Sequence, residues 1–258
     1  MKDSNQKEPY WCSNCLAMST RPRILFDERG WCNACCWTEK KKTLDWDSRQ
    51  QELKGLLDKH RRSDGGFDCL VPVSGGKDGS YVAYNLKHKY GMNPLCLTVT
   101  PALPLALGDQ NLSNFVKSGY NHITVNPSYE AMRTLNRIGL LEMGFPYYGW
   151  LIAIQAGVVR MANQMKIGLI FYGEDGEVEY GGSTETDRNP IYNVDYMKKI
   201  YLEGGYDKVL SNSGLPEDDL FFFRFPSNSD LKNNPIDITH WSYFENWDPY
   251  RNYLIAKE

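Results

Sequence analysis

The stretch from Cys69 to Ser80, Cys-Leu-Val-Pro-Val-Ser-Gly-Gly-Lys-Asp-Gly-Ser, narrows what this chain can fold into more than any other. Cys69, Leu70 and Val71 read as an apolar strand that runs into a small, glycine-bearing turn, and the turn opens a helix near Gly79. A turn of that make is a phosphate cradle. Ser74, Gly75 and Gly76, following Val73, let the backbone come close to an anion and aim successive N–H groups at it, while the helix start adds the positive end of its dipole. Asp78 argues against a plain anion site, because a carboxylate beside phosphates is reasonable only with a cation such as Mg²⁺ between them. Glycine pairs also make ordinary strand-to-helix turns; the strand before this one and Lys77-Asp78 after it favour a magnesium nucleotide. The loop is not a Walker A motif, since Lys77 follows only a Gly-Gly pair.

Five of the seven cysteines are Cys12, Cys15, Cys32, Cys35 and Cys36. The first four give C-x₂-C, sixteen intervening residues and C-x₂-C, inside the spacing of a four-cysteine zinc site. Each pair repeats a local pattern, Tyr-Trp-Cys-Ser-Asn-Cys and Gly-Trp-Cys-Asn-Ala-Cys, so two similar knuckles face one metal. Four thiolates close a tetrahedron and leave no position for water, which makes Zn²⁺ here structural. Disulfides are the alternative, disfavoured because Met1 to Glu8 shows no basic segment leading into an apolar one, hence no signal peptide. Cys36 reads as a spare thiol or an alternative ligand, and Cys69 and Cys96 as core packing.

At 258 residues the chain can hold one α/β domain with a real core and a small accessory module. The zinc-ribbon-like module takes residues 1–44 and the nucleotide domain residues 45–258. Glu39 to Thr43 reads as a charged linker and Asp45 to Arg62 as a helix; strands follow at Leu95 to Thr100, His122 to Val125 and Ile167 to Tyr172. Helices lie between them at Ser80 to Tyr90, Asn111 to Gly119, Tyr129 to Ile138 and Trp150 to Met165. Alternating βα units imply a parallel, doubly wound sheet covered on both faces. Ligands on such a sheet bind beyond the carboxyl ends of the strands, which puts the Ser74 loop, Thr98 to Thr100 and Gly173 on one edge. A net charge of −3 lacks the basic balance of a nucleic-acid binder. Tyr147 to Met165, the most apolar long stretch, carries Gln155, Arg160, Asn163 and Gln164 and reads as a buried helix, so no membrane span and a cytoplasmic location are expected.

The segment from Gly173 to Gly182, Gly-Glu-Asp-Gly-Glu-Val-Glu-Tyr-Gly-Gly, follows the last of these strands directly. Its four carboxylates could hold magnesium or take a proton from an attacking amine, or form a solvated acidic loop. Arg133, Arg137, Arg160, Arg188 and Arg224 could meet an anionic nucleotide sugar or be surface charges, and Tyr192 to Phe225 reads as an aromatic, irregular insertion or an oligomer interface.

The Ser74 loop resembles the Ser-Gly-Gly-x-Asp-Ser loop of the PP-loop ATP pyrophosphatases, with Gly79 where that loop has its final serine and Ser80 one place later. Together with the cysteine pairs, the Gly173 to Gly182 stretch and a late Trp247-Asp248-Pro249, the chain resembles the bacterial N-acetyl sugar amidotransferases of surface-polysaccharide and nonulosonic-acid pathways (lipopolysaccharide O-antigen, pseudaminic and legionaminic acids), from about Trp11 to the C-terminus. The resemblance implies an adenine nucleotide alpha hydrolase-like fold that uses ATP, Mg²⁺ and Zn²⁺. The implied reaction turns an acetamido group into an acetamidino group: the amide oxygen attacks the α-phosphate of ATP, pyrophosphate leaves, and ammonia displaces AMP. Lys77 and Asp78 would serve the phosphates and magnesium, and Glu174 or Glu179 would orient or deprotonate ammonia. Val73, Ser74, Gly75, Gly76, Gly79, Ser80, Thr98, Thr100 and Gly173 would line the nucleotide. His60, His88, His122 and His240 are scattered and build no glutaminase, so ammonia comes from solution or from a separate glutaminase, and a homodimer is possible. Members of that family continue well past Trp-Asp-Pro, whereas this chain ends at Glu258. The alternatives are a tRNA-thiolating PP-loop enzyme and a catalytically weak nucleotide-binding scaffold.

Overall fold

The computed structural model describes residues 8–258, so the signal-peptide reading of the first residues lies outside it. Five parallel strands form one sheet: β1 (Cys69–Pro72), β2 (Pro94–Val99), β3 (Asn121–Val125), β4 (Leu169–Tyr172) and β5 (Asp237–His240), in the order β3-β2-β1-β4-β5. β1 pairs with β2 over four residues, whereas its register with β4 is set at Leu70↔Ile170 alone.

The period-2 alternation of the strands decides how the sheet is covered. Leu70, Leu95, Leu97, Ile170 and Ile238 face one core, and Cys69, Val71, Cys96, Leu169 and Phe171 face the other. The second face is covered by α2 (Trp46–His60), α3 (Lys77–Tyr84) and α4 (Ala106–Lys117), through Leu53, Leu57, Val82 and Phe115. The first face takes α5 (Tyr129–Met143), α6 (Tyr148–Ile152) and α7 (Val158–Gln164), with Leu135, Ile152 and Val159 buried. The chain therefore changes face where it returns from β3 to lay β4 beside β1. That reversal of strand order lies between β1 and β4.

Several sequence expectations are corrected here. Glu39 to Thr43 is not a linker: it ends α1 (Asn33–Lys40) and continues as a 3₁₀ turn, Lys41–Thr43. The helix after the cradle starts at Lys77, two residues early, because Gly76 already has the extended backbone of an N-cap. The acidic Gly173 to Gly182 stretch is no open loop either. It winds into α8 (Gly176–Tyr180), N-capped by the Asp175 carboxylate, which accepts from the amides of Glu177 and Val178.

Tyr192 to Phe225, expected to be irregular, is largely helical: α9 (Val194–Tyr196), a π turn over Met197–Tyr201, α10 (Tyr206–Ser211) and a 3₁₀ stretch over Glu217–Phe223. Its Tyr192, Tyr196, Met197, Tyr206 and Phe223 are buried against the first face of the sheet, so the stretch is core. After α11 (Asn228–Asn233) comes β5, a strand absent from the sequence reading, then α12 (Trp241–Phe244) and α13 (Pro249–Lys257). Among the described residues no helix is long and apolar enough to cross a membrane, and the expected buried helix within Tyr147 to Met165 is present as one continuous helical run with a π turn at Ala153–Gly157.

Candidate functional site

The reversal point brings two loops side by side. From β1 comes Val73-Ser74-Gly75-Gly76, from β4 comes Gly173-Glu174-Asp175. Gly75 has φ +76, and a Cβ there would lie 2.4 Å from the Leu112 amide nitrogen, so only glycine lets the loop pass under α4. Gly79 sits against β1 itself: a Cβ would meet the Pro72 carbonyl oxygen at 2.8 Å and Val73 Cα at 3.0 Å. Glycine at this position thus has a steric reason, since the first turn of α3 packs straight onto the strand it leaves. Ser80, the next hydroxyl, is buried.

The first-turn amides of α3 have no intrahelical acceptor, and no side chain caps them. Among the described residues, none of the hydrogen bonds made by loops takes up the amides of Ser74, Gly75 or Gly76. Free N–H groups, a close-packed glycine turn and a helix start converge on one open corner of the sheet, which fits a phosphate chain. The end of β2 sets two threonines beside the loop, of which Thr98 touches it. Thr98 donates its hydroxyl to the Val73 carbonyl at 2.6 Å and meets His122 Nε2 at 2.8 Å; Thr100 donates to Asn126 Oδ1 at 2.6 Å. Both threonines line a cavity of about 460 Å³ between the ends of β2 and β3 and α4, together with Asp109, Ser113, Lys117 and His122.

Lys77 and Asp78 face this corner and pair with each other, Nζ to Oδ2 at 2.5 Å. Gly173 closes on them: a Cβ there would lie 3.2 Å from Asp78 Cβ and 3.2 Å from the Trp247 ring. Glu174 accepts from Trp247 Nε1 at 3.0 Å and from the Tyr180 hydroxyl at 2.6 Å. Cradle, Lys77, Asp78, Gly173 and Glu174 therefore form one cluster. Glu179 lies elsewhere. Its carboxylate accepts from Trp37 Nε1 at 2.9 Å and pairs with Lys41 at 2.7 Å, both ion-pair side chains mostly buried, so it serves the N-terminal module.

That module is docked on α8 by a dense set of polar contacts. Arg23 grips both Glu177 oxygens at 2.8 and 2.9 Å and reaches Glu203 as well, while Asn33 donates to the Gly182 carbonyl at 2.8 Å. Within it, the sulfurs of Cys12, Cys15, Cys32 and Cys35 all lie within 4.8 Å of one another, with close pairs at 3.5, 3.7 and 3.8 Å. Zn–S arms of about 2.3 Å give tetrahedral edges of about 3.8 Å, which these spacings match. Burial pushes the Cys12 thiol up, but the backbone amides of Cys15, Cys32 and Asn14 outweigh it and hold the group at about 6. Cys35, by contrast, is pushed up to about 12 by burial and by the neighbouring sulfurs. Four thiolates this close need a cation, and the donor set suits zinc. Cys36 points away, its thiol 3.5 Å from Asp27 Oδ2.

Sequence reasoning missed the residues that reach the cluster from far along the chain: Trp247 on Glu174, and the fully buried Asn252 of α13, whose Nδ2 lies 3.4 Å from Asp78 Oδ1. Trp247-Asp248-Pro249 was the one signal available. Of the arginines singled out above, Arg160 donates to the carbonyls of Arg224 and Phe225, and Arg133 and Arg224 pair with Glu130 and Glu217. Cys69 and Cys96 are wholly buried in the sheet.

No family model matches the chain. An uncharacterized protein of Methanocaldococcus jannaschii is 30% identical over 88 residues, which is 34% of this chain and 32% of that protein; the match spans about a third of the relative's length. Among solved structures, the chain is similar to a subunit ascribed to tRNA methyltransferase from the same organism, with TM-score 0.39 and 14% identity over 74% of this chain and 75% of that one. It is similar to the NMN synthetase of Francisella tularensis at TM-score 0.35 and 14% identity, covering 74% and 82% of the two chains. A U34-tRNA thiolase of Methanococcus maripaludis, carrying a 4Fe–4S cluster, gives 0.36 and 16%, covering 82% and 72%. Overlaps this loose assign no reaction.

Proposed function

We propose that the chain is an ATP-dependent, AMP-forming enzyme of the PP-loop type that converts the acetamido group of an N-acetyl sugar to an acetamidino group, in bacterial surface-polysaccharide synthesis in the cytoplasm. The observation that carries the nucleotide half is the open corner at the strand-order reversal, where the glycine turn and the free amides of α3 meet Lys77, Asp78 and Glu174. The sugar half rests on the sequence resemblance.

An amide is a poor electrophile because its oxygen leaves badly; adenylation makes that oxygen a good leaving group. In the first step the amide oxygen forms a bond to the α-phosphorus of ATP and the bond to the β-phosphate oxygen breaks. The amides of Ser74 to Asp78 and the Lys77 ammonium meet the charge that builds on the departing pyrophosphate, the electrostatic contribution that dominates such reactions. Asp78 is the residue that would hold magnesium, which when bound supplies further charge neutralisation on the phosphates. In the second step ammonia bonds to the activated carbon, AMP leaves with the former amide oxygen, and a proton departs from nitrogen. Glu174, at the open end of β4, takes or orients that proton, and Glu179 has no part in it. Ammonia comes from a separate glutaminase. The cavity beside Thr98 and Thr100 is the place for the nucleoside end.

The thiolation alternative lacks a thiol at the corner, since Cys69 and Cys96 are buried and burial pushes Cys69 far above the usual thiol range. The test is isotopic. With ATP, Mg²⁺, ammonium and acetamido sugars carrying ¹⁸O in the amide, the label should appear in AMP. ADP formation, or AMP without label, would refute the scheme, and AMP formed only with tRNA would move the chain to the thiolation class.

A further inference from the structure

Trp247-Asp248-Pro249 carries no role in the reaction as described, yet each of its residues has a definite position. Asp248 is the N-cap of α13, its carboxylate accepting from the amides of Tyr250 and Arg251 at 2.9 and 3.1 Å. Pro249 takes the first helical position, where a missing N–H costs nothing. The cap fixes where α13 begins and hence which way its first turn faces. Trp247, just before it, packs its ring on Gly173 and donates its indole N–H to Glu174. Asn252, one turn in, is completely buried and presents its amide to Asp78, its own oxygen accepting from Arg251 at 3.2 Å. Tyr81 of α3, stacked edge-on against Trp247, ties the same segment to the cradle helix and donates to Glu245 at 2.8 Å.

One short segment therefore touches both carboxylates of the cluster, and through N–H donors in both cases. A buried amide donor opposite a carboxylate fixes the carboxylate's rotamer and leaves its other oxygen to other partners, here Lys77. We infer that Trp247 and Asn252 are positioning residues: Asn252 holds Asp78 in the orientation in which it accepts a divalent cation, and Trp247 holds Glu174 for the ammonia step. The inference rests on the nucleotide reading given above. The Trp-Asp-Pro sequence is then the local code for a clamp, with tryptophan as the first donor, aspartate and proline as the helix start, and Asn252 as the second donor.

The experiment is isothermal titration of the full chain with ATP plus MgCl₂ and with ATP plus EDTA, with the melting temperature and steady-state AMP formation measured alongside. Asn252→Ala should weaken the magnesium-dependent binding by about three- to tenfold, the net worth of one ordinary hydrogen bond, and leave binding in EDTA within about twofold. Trp247→Phe keeps an aromatic ring in the buried slot and removes the indole N–H together with part of the bulk; with the melting temperature measured alongside, it should lower kcat by about tenfold with the KM for ATP unchanged. A merely structural role would instead weaken both titrations in parallel as the melting temperature falls, and that result overturns the inference, as does wild-type behaviour of both variants. If wild type itself binds no ATP in the presence of magnesium, the nucleotide reading fails and this inference with it. Should Asn252→Ala not fold, Trp247→Phe decides: an unchanged kcat refutes the clamp, a lower kcat at constant KM supports it.

Discussion

Replacing Gly79 by serine would restore the hydroxyl that PP-loop sequences carry, and sequence comparison alone would expect a gain. The structure expects a loss. The new Cβ would stand 2.8 Å from the Pro72 carbonyl oxygen and 3.0 Å from Val73 Cα, and both are backbone atoms that cannot rotate away. Overpacking against fixed atoms costs about 1–3 kcal/mol. Exchanging glycine for a better helix former near the start of α3 returns at most about 0.5–1 kcal/mol. The balance is a destabilisation of up to about 2.5 kcal/mol, which for a chain of this size lowers the melting temperature by up to about 10 °C. Relief of the contact would also lift the first turn of α3 off β1 and splay the amides that form the cradle, so ATP affinity should fall further than stability does. Differential scanning calorimetry and ATP titration of Gly79→Ser and Gly79→Ala give the two numbers. Equal stability with tighter ATP binding in Gly79→Ser would refute the packing argument and make the missing hydroxyl a defect of the proposed nucleotide site.

Three further outcomes are expected. Cys15→Ser should lose the metal, read as zinc per chain by elemental analysis, and should raise hydrogen exchange in α8 as well as in the module, since Arg23, Asn33 and Lys41 dock on Glu177, Gly182 and Glu179. Glu177→Gln leaves Arg23 with Glu203 and weakens the bond to the Ser183 amide, so a loss of about 1–3 kcal/mol is expected in chemical denaturation. His240 is buried, and burial holds its pKa below the ordinary value despite the nearby Asp175. The unfolded chain then takes up a proton that the folded one does not, so stability falls as pH drops below about 6.5 toward the folded value; the slope is at most about 1.4 kcal/mol per pH unit and should flatten in His240→Gln.

What could be read in advance followed from local chemistry. The strand before Ser74, the glycine turn and the helix after it declare themselves in twelve consecutive residues, and the cysteine spacing declares its tetrahedron. β5 did not, because Asp237–His240 has only four residues, with a single clearly apolar one, Ile238, and forms by pairing with β4 rather than by its own preference. Glu179 misled for a related reason. An acidic residue among glycines beside the cradle reads as a carboxylate for the ammonia step until Trp37 and Lys41, some 140 residues earlier, are seen to close on it. A longer separation still, 174 residues, hid Asn252, which no spacing connects to Asp78.

The reversal of strand order between β1 and β4 has a mechanical meaning. It divides the sheet into a half made of β1, β2 and β3 and a half made of β4 and β5, joined along a seam whose carboxyl end meets the open corner. Ser74 belongs to one half and Gly173 to the other. A molecule that spans both acts as a staple across that seam, so its binding free energy adds to the cohesion of the sheet, and the first amides to gain exchange protection should be those of β1 and β4.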